Sequence, residues 1–160
     1  MGPQKTKAKM IKIALPNKGT LSEDAVRLMT EAGYACKRYD RELFVYDKKN
    51  DVEFIFLRPR DIAVYVNRGL IAIGITGRDL AREADVAFDE VLTLGFGQSK
   101  FCYAVPRESS LAPDVFNGLR IATSYPHLVR QDMARRKIAA DIVKLDGAVE
   151  ISVKLGVADV

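Results

Sequence analysis

The feature that most constrains the fold is an almost unbroken apolar run at residues 71–75, which polar residues follow at once. Such a run suits a strand buried on both faces, as in a parallel sheet. Residues 76–80 then supply a hydroxyl, a glycine, a guanidinium and a carboxylate ahead of a predicted helix. Sites in α/β proteins lie at the carboxyl ends of such strands, where helix N–H groups attract anions. The stretch therefore predicts a ligand-binding turn, and an ordinary βα turn with a surface Arg–Asp pair is the alternative.

Composition limits the class of protein without deciding its function. A chain of 160 residues can bury a core as one domain or as two small lobes. Its 25 Lys and Arg against 21 Asp and Glu leave a formal charge of +4. This charge falls short of a nucleic-acid-binding signature and suits anionic small molecules. Phosphorylated small molecules would fit this charge as well as RNA would. Nucleic-acid binding is the weaker alternative, because the charge is modest and the aromatic residues are mostly at predicted strand positions, so no nucleic-acid partner is expected.

The cysteines, the histidine and the amino terminus exclude several other classes. Cys36 and Cys102 lie far apart without metal-ligand spacing, so reduced thiols in a cytoplasmic protein are expected. With His127 as the only histidine, a His-rich metal site is excluded. Residues 1–10 are basic without an apolar core, so they are interpreted as an extension or tag, not a secretory signal. No stretch reaches transmembrane length, and no membrane partner is expected.

Strands alternate with helices along the whole chain, which predicts an α/β fold. The first helix is predicted to start with a capping box, in which Thr20 is the N-cap and Glu23 reaches back to it. Residues 43–46 and 52–57 flank a polar turn and predict a hairpin. The other predicted strands are 11–15, 71–75, 101–105, 119–122, 142–145 and 157–160, and the other predicted helices are 62–68, 80–84, 127–137 and 148–155.

A glycine-flanked segment, residues 95–97, is a candidate hinge between two lobes. It lies between a stretch of changed character, residues 86–94, and the next predicted strand. We therefore predict a first lobe at residues 11–94 and a second lobe at residues 95–160.

Basic and hydroxyl side chains follow several of the predicted strands. Lys18, Arg58 and Arg78 do so in the first lobe, and residues 123–125 do so in the second. Because parallel strands end at the same edge of a sheet, we expect these groups to gather there and to bind phosphates. The alternative for each residue is a solvated surface side chain. The second lobe adds two carboxylates that could hold sugar hydroxyls or magnesium, Asp146 and Glu150.

Six short segments, taken in order, resemble ATP phosphoribosyltransferase, the first enzyme of histidine biosynthesis. Any single segment is a weak signal, but six in register over residues 11–160 are highly specific. The segments are residues 14–19 (ALPNKG), 56–62 (FLRPRDI), 74–80 (GITGRDL), 94–97 (LGFG), 121–126 (IATSYP) and 145–150 (LDGAVE).

The resemblance implies a reaction, a cofactor and a fold. ATP would condense with phosphoribosyl pyrophosphate to give N1-(5-phosphoribosyl)-ATP and pyrophosphate. Magnesium would be bound mainly through the substrate phosphates, with no metal site in the protein itself. The fold would be two-lobed, like type II periplasmic binding proteins, with mostly parallel sheets, flanking helices and the site between the lobes. A non-catalytic solute- or nucleotide-binding protein on the same fold is the alternative.

The resemblance also assigns roles to residues of this sequence. The first lobe would bind the nucleotide and the second the phosphoribosyl group. The implied catalytic residues are Lys18, Arg58 and Glu150. The implied nucleotide-binding residues are Arg58, Thr76, Gly77, Arg78, Asp79, Leu80 and Tyr125. The implied phosphoribosyl-binding residues are Asp146, Gly147, Ala148, Glu150 and Asp159.

Partners and extent follow from the same resemblance. Catalytic subunits of the family assemble from dimers, AMP is an expected inhibitor, and regulation uses either a C-terminal histidine-binding domain or a separate subunit. In the family the chain continues into a Thr-Gly-rich turn that cradles the 5′-phosphate, whereas this sequence ends before that turn. We therefore expect an incomplete second lobe, and these 160 residues alone are expected to be inactive or severely impaired.

Overall fold

The computed structural model describes residues 10–40, 42–109 and 115–160, and the chain divides into two compact units. The first unit ends at Gln98, and the second runs from Ser99 to Val160. The lobe boundary predicted from the sequence falls slightly earlier, at residues 94–95. The predicted extension at residues 1–10 lies outside the described residues except for Met10. Within the described ranges, no helix combines the length and the apolar content that crossing a membrane requires.

The first unit is built on a four-stranded sheet with the order β2-β3-β1-β4. β1 is parallel to β3 and β4, whereas β2 and β3 form the predicted antiparallel hairpin. In this register Leu15 pairs with Phe56 and Ala14 with Gly74, so the three parallel strands end at one edge. The strands are β1 (Ile11–Pro16), β2 (Phe44–Asp47), β3 (Val52–Leu57) and β4 (Ile73–Gly74).

The described residues of the first unit form three α-helices, of which the first two pack on the sheet and the third on the second helix. The helices are α1 (Thr20–Glu31), α2 (Pro59–Asn67) and α3 (Arg78–Glu83). Thr20 is already inside α1, so the prediction that it is the N-cap is wrong. Gly19 occupies that position with a φ of +79°, which residues with side chains rarely adopt. Its carbonyl accepts hydrogen bonds from the N–H groups of Ser22 and Glu23. The helix therefore starts without a side-chain cap.

Side chains alternate along β1 and β3 and fill a core on each face of the sheet. This explains why both strands are rich in apolar residues. One core lies between the sheet and α1 and contains the buried residues Ile13, Leu15, Ala25, Cys36, Val52, Phe54, Phe56 and Ile75. The other core lies against α2 and contains Ala14, Ile55, Ile62 and Ile71.

The apolar run at residues 71–75 is only partly a buried strand. Regular pairing covers Ile73 and Gly74 alone, and 54% of Ile73 is exposed. Ile71 and Ile75 are buried as expected. The prediction of a strand buried on both faces is wrong at Ala72 and Ile73, because β4 lies at the edge of the sheet and, among the described residues, pairs with β1 alone.

The second unit contains a smaller parallel sheet and one regular α-helix among the described residues. Strand β5 (Arg120–Thr123) pairs in parallel with β6 (Asp141–Lys144), and helix α4 (Pro126–Arg136) connects them. A short 3-10 helix, Val149–Ile151, follows β6. The core of this unit contains Phe116, Ile121, Val129, Met133 and Val160.

Two predicted elements of the second unit are not formed. Residues 101–105 are not a strand, although Tyr103 and Val105 pack on the core, so the apolar run there reports burial and not pairing. The predicted helix at residues 148–155 is reduced to the 3-10 turn at Val149–Ile151. There the Ser152 hydroxyl donates to the Val149 carbonyl at 2.7 Å, a local bond that competes with regular helix.

The last residues begin to pair as predicted, without forming a regular strand. The Val160 N–H donates to the Arg120 carbonyl at 3.1 Å, and the Val160 carbonyl accepts from the Ala122 N–H at 2.9 Å. This alternation of partners is the pattern of a parallel pair. Residues 157–160 thus lie alongside β5, with Val160 in the core.

Candidate functional site

The loops that follow β1, β3 and β4 lie together, because these parallel strands end at the same edge of the sheet. We call residues 17–19, 58–60 and 76–80 the carboxyl edge. The Asn17 N–H donates to the Leu57 carbonyl at 2.8 Å and ties the first loop to the end of β3, where the second loop begins. The Thr76 hydroxyl donates to the Pro59 carbonyl at 2.7 Å and ties the third loop to the second.

Two of the predicted cations, Lys18 and Arg58, are solvent-exposed at this edge. Arg58 is the N-cap of α2 in an extended conformation, so its side chain projects from the start of a helix. Lys18 lies in the loop between β1 and α1, one residue before Gly19. The structure therefore brings these two residues to one edge, as expected, while their catalytic roles stay predictions.

A third cation, Arg38, lies beside them and was missed by the sequence reasoning. Its guanidinium lies over the Phe56 ring, 4.7 Å from the ring centroid, and donates to the Asn17 carbonyl. Stacking on an aromatic face favours a cation at that position. The signal in the sequence is only a basic residue in the loop after α1, and the loop's path determines where it lies.

An unsatisfied acceptor lies at the same edge. Asn17 Oδ1 is buried and has no hydrogen-bond partner among the described residues. Buried polar atoms are nearly always paired in native proteins, so this unpaired acceptor, next to the exposed Lys18, marks a place where a ligand could donate a hydrogen bond to Asn17 Oδ1.

The third loop is shaped by Gly77. A Cβ at this position would lie 2.3 Å from Asp79 Oδ1 and 3.6 Å from Leu80 Cδ1. Gly77 is the N-cap of α3, so its missing side chain lets the Asp79 carboxylate fold back over the start of that helix. Asp79 and Leu80, which are predicted to contact the nucleotide, are both partly buried.

The Arg78 side chain already has hydrogen-bond partners within the first unit. Its guanidinium donates to both carboxylate oxygens of Glu90, with an Nε–Oε2 distance of 2.8 Å, and to the Thr93 hydroxyl at 3.1 Å. Hydrogen bonding to this guanidinium lowers the pKa of Glu90. A nucleotide contact by Arg78 stays a prediction and would compete with Glu90.

The second unit brings its own predicted residues to one edge of the parallel pair. The Leu145 N–H donates to the Thr123 carbonyl at 2.9 Å, so the turn after β5 and the turn after β6 are neighbours. The Thr123 hydroxyl accepts from the Tyr125 N–H at 2.9 Å and closes the first turn. The Tyr125 ring meets Phe101 edge to face, with centroids 4.7 Å apart.

The turn after β6 is open to solvent. The Asp146 side chain is 88% exposed, and Glu150 is also exposed. Ala148 has a φ of +53°, an uncommon left-handed conformation for a residue with a side chain. A Cβ at Gly147 would meet no atom within 4 Å. The predicted phosphoribosyl-binding residues at 146–150 thus form an accessible turn, and their ligand stays a prediction.

A cavity of about 480 Å³ adjoins this turn within the second unit. Glu150, Thr123 and Cys102 are among its polar lining, and most of the remaining wall is apolar. Tyr103 also lines it and donates to Asp132 on α4 at 2.9 Å. Burial, with that hydrogen bond, raises the pKa of Tyr103 to about 12.

Asp159 has a partner in this structure. Both of its carboxylate oxygens accept hydrogen bonds from Arg120, from the side chain at 2.8 and 3.2 Å and from the backbone N–H at 2.9 Å. These bonds lower the pKa of Asp159 to about 2. Asp159 therefore fastens the end of the chain to β5, and its phosphoribosyl contact stays a prediction.

The two edges differ in the chemistry they offer. The carboxyl edge of the first unit presents cations and helix starts, which bind phosphate groups. The turns of the second unit present carboxylates and hydroxyls, which bind sugar hydroxyls. Among the described residues, no three His, Cys, Asp or Glu side chains gather as a metal site would require.

Comparison with known proteins identifies the family. A family model described as HisG: ATP phosphoribosyltransferase matches residues 58–160. ATP phosphoribosyltransferases from Corynebacterium diphtheriae and Salinibacter ruber are 57% and 56% identical over 150 and 152 residues. These matches cover 94% of this chain but 53% and 54% of the relatives, so the chain spans about half their length.

A solved structure shows the same fold. It is the ATP phosphoribosyl transferase (HisG:HisZ) complex from Thermotoga maritima, which aligns with a TM-score of 0.70 and 23% identity. The alignment covers 94% of this chain and 71% of that chain. The mixed α/β fold with mostly parallel strands and flanking helices is thus shared, as the sequence predicted. Because the family model matches well over half of its residues, the chain belongs to the ATP phosphoribosyltransferase family.

Proposed function

We propose that the protein transfers the phosphoribosyl group of phosphoribosyl pyrophosphate to N1 of ATP, giving phosphoribosyl-ATP and pyrophosphate, the first step of histidine biosynthesis. The proposal is supported by membership of the ATP phosphoribosyltransferase family. It concerns the whole protein, since the chain covers about half the length of its relatives. In this proposal the described residues contribute the cations and the sugar-binding turns of the active site.

The observation that carries the proposal is the parallel register of β1, β3 and β4, since Lys18 and Arg58 follow two of these strands at one edge. Arg38 is held at the same edge by the Phe56 ring and the Asn17 carbonyl. In the reaction, N1 of adenine bonds to the anomeric carbon while the bond to pyrophosphate breaks and its electron pair leaves with the phosphates. Positive charge develops on the ribose and negative charge on the leaving group. Fixed cations at such an edge stabilise the departing phosphates.

The second unit is proposed to hold the sugar. Glu150 and Asp146 are accessible carboxylates on one turn and can accept hydrogen bonds from ribose hydroxyls. A nearby carboxylate also favours the positive charge that develops on the ribose. No covalent nucleophile is needed, so the proposal assigns none. On the nucleotide side it keeps the predicted contacts at residues 77–80 and Tyr125.

The proposal includes a magnesium ion that binds together with the substrates. The described residues offer single accessible carboxylates, such as Asp146, rather than a cluster that would hold the ion alone. The proposed ion would therefore be bound largely through substrate phosphate oxygens. When bound there, magnesium neutralises phosphate charge.

The proposal also covers architecture and partners. We infer that the two units are the lobes of a type II periplasmic-binding-protein-like fold in a cytoplasmic enzyme, the first binding nucleotide and the second the phosphoribosyl group. We propose assembly from dimers, with or without a regulatory subunit, as the family resemblance implies. A second type of subunit is supported by the related solved structure, which is a HisG:HisZ complex. AMP is proposed as an inhibitor that occupies the nucleotide side.

Isothermal titration calorimetry tests the ligand class on this chain. ATP, AMP, phosphoribosyl pyrophosphate and free amino acids are titrated separately. Binding of the phosphorylated ligands without the amino acids supports a nucleotide and phosphoribosyl site. Binding of an amino acid alone would contradict the proposal and indicate a solute-binding protein. Formation of phosphoribosyl-ATP by the whole protein then tests the reaction itself.

Charge variants test the carboxyl edge. Arg58→Gln is expected to weaken phosphoribosyl pyrophosphate binding by about tenfold or more, because a charge-assisted hydrogen bond to phosphate is lost. Lys48→Gln is the matched control, since Lys48 is an exposed cation in the β2–β3 turn, at the opposite end of β3. Equal losses in both variants would point to net charge and not to a site.

A further inference from the structure

The Thr76 hydroxyl is already used within the protein. It donates to the Pro59 carbonyl at 2.7 Å, across 17 positions of the sequence, from a partly buried position. Pro59 is the first residue of α2 and follows Arg58 directly, while Thr76 precedes Gly77, the N-cap of α3. This one bond therefore joins the start of α2 to the start of α3.

The surrounding contacts leave Thr76 in a fixed place. The Ile75 N–H donates to the Ala14 carbonyl at 2.9 Å, so Thr76 follows the last ladder bond of β4 directly. Two residues earlier, Gly74 lies so close to α2 that a Cβ would come within 2.3 Å of Ile62 Cγ2. The strand is thus held by β1 and α2, and the hydroxyl sets the direction in which the chain leaves it.

We propose that Thr76 is a positioning residue, whose hydroxyl fixes the turn at residues 77–80 relative to Arg58 instead of donating to the nucleotide. This inference rests on the proposed function for its role in catalysis. Since the hydroxyl proton is given to Pro59, Thr76 acts on the ligand through the two loops that it joins. The distance between Arg58 and the turn at residues 77–80 is then already fixed in the protein without ligand.

Amide hydrogen exchange, measured by NMR without ligand, tests this role. The reporters are the Asp61 N–H, bonded to the Arg58 carbonyl at 2.9 Å, and the Ala81 N–H, bonded to the Gly77 carbonyl at 2.9 Å. Thr76→Val keeps the shape and removes the donor, so exchange at both amides is expected to quicken by up to about tenfold. Thr76→Ser keeps the donor and should stay within about twofold of wild type.

Thr30→Val is the matched control, because Thr30 also donates to a backbone carbonyl, that of Val26 at 2.7 Å, but lies on α1. It should leave both reporter amides unchanged. Unchanged exchange in Thr76→Val, or a serine variant that behaves like valine, would overturn the positioning role.

Titration with ATP then separates this inference from the proposed function. Thr76→Val should raise the dissociation constant for ATP by about tenfold, with restoration by Thr76→Ser. If the wild-type chain binds no ATP, that result counts against the proposed function, and the exchange rates still decide whether Thr76 positions the turn. Faster exchange with unchanged ATP affinity would overturn the link to binding.

Discussion

Hydroxyl groups that hold backbone carbonyls recur at the scale of single residues. Ser22 on α1 is 7% exposed, and its hydroxyl donates to the carbonyl of Pro16 at 2.6 Å. Pro16 is the last residue of β1 and is fully buried. The bond fixes the point where the chain leaves the sheet for the loop that carries Lys18. The position of an exposed cation thus depends on a buried neutral contact.

Ser22→Ala is expected to lower the free energy of unfolding by about 1–2 kcal/mol, because the buried Pro16 carbonyl loses its donor. Alanine is a better helix former than serine, which offsets a few tenths of that loss. Chemical denaturation measures the change. Thr30→Ala removes a hydroxyl on the same helix whose bond to the Val26 carbonyl is exposed and whose contact with Cys36 Sγ is long, at 3.7 Å, so it should cost less. Equal costs in the two variants would contradict the importance of burial.

Asp159 gives the protein a pH-dependent contact. Its pKa falls from an ordinary 3.8 to about 2 because Arg120 donates to it, so between these values the unfolded chain binds more protons. The stability from this pair is complete above pH 3.8 and is lost as the pH falls towards 2. The difference in melting temperature between wild type and Asp159→Asn should therefore shrink over this range. A melting-temperature difference that stays constant from pH 6 to pH 2 would contradict a contribution of the Asp159–Arg120 pair to stability.

Residue types could be predicted from the sequence, whereas partners could not. The positions of Lys18 and Arg58 at strand ends were predictable, because each residue follows a predicted strand closely in the sequence. Arg38 was missed, since its place over Phe56 depends on the path of the loop after α1. The partner of Asp159 lies 39 positions away, a distance over which no local pattern operates.

Elements were predictable wherever burial and pairing coincide. β1 and β3 are covered on both faces, so their apolar pattern located them correctly. Residues 101–105 show the same pattern through burial of Tyr103 and Val105, yet their backbone forms no strand. β4, at the edge of the sheet, is regular over Ile73–Gly74 alone, although the apolar run there is five residues long. Side-chain periodicity records which face is covered and does not record hydrogen-bond partners.

The packing of α2 on the sheet depends on the missing side chain of Gly74. A Cβ there would lie 2.3 Å from Ile62 Cγ2 and 3.1 Å from Val66 Cγ2. Gly74→Ala is expected to destabilise the first unit by about 1–3 kcal/mol, because the helix must shift. Gly147→Ala is the control, since nothing lies within 4 Å of its Cβ position and it should cost little. Denaturation curves of both variants measure the change in the free energy of unfolding. An unchanged stability of Gly74→Ala would contradict the close packing of α2 on Gly74.

At the scale of the whole molecule, the described core residues of the two units are separate sets. The cores of the first unit, with the residues packed on them, extend to Phe96, and those of the second unit begin at Tyr103. Each unit has its own sheet and its own helices. Such an organisation allows one unit to lose structure while the other keeps it.

Two matched valines test this independence. Val129→Ala in the second unit and Val52→Ala in the first each remove buried methyl groups, at a cost of about 2 kcal/mol. Exchange at the Ala122 N–H should quicken only in the first variant, and exchange at the Ile75 N–H only in the second. Similar loss of protection at both amides in either variant would show that the units unfold together.

Of the two cysteines, one is accessible to thiol-reactive reagents in the folded protein. Cys36 is completely buried in the core beside α1, and burial raises the pKa of its thiol, whereas Cys102 is exposed and lines the cavity of the second unit. Since thiolates are the reactive form, a maleimide dye should attach to the folded protein once, at Cys102. The native sequence can therefore carry one fluorophore next to the Glu150 turn, with no engineered cysteine.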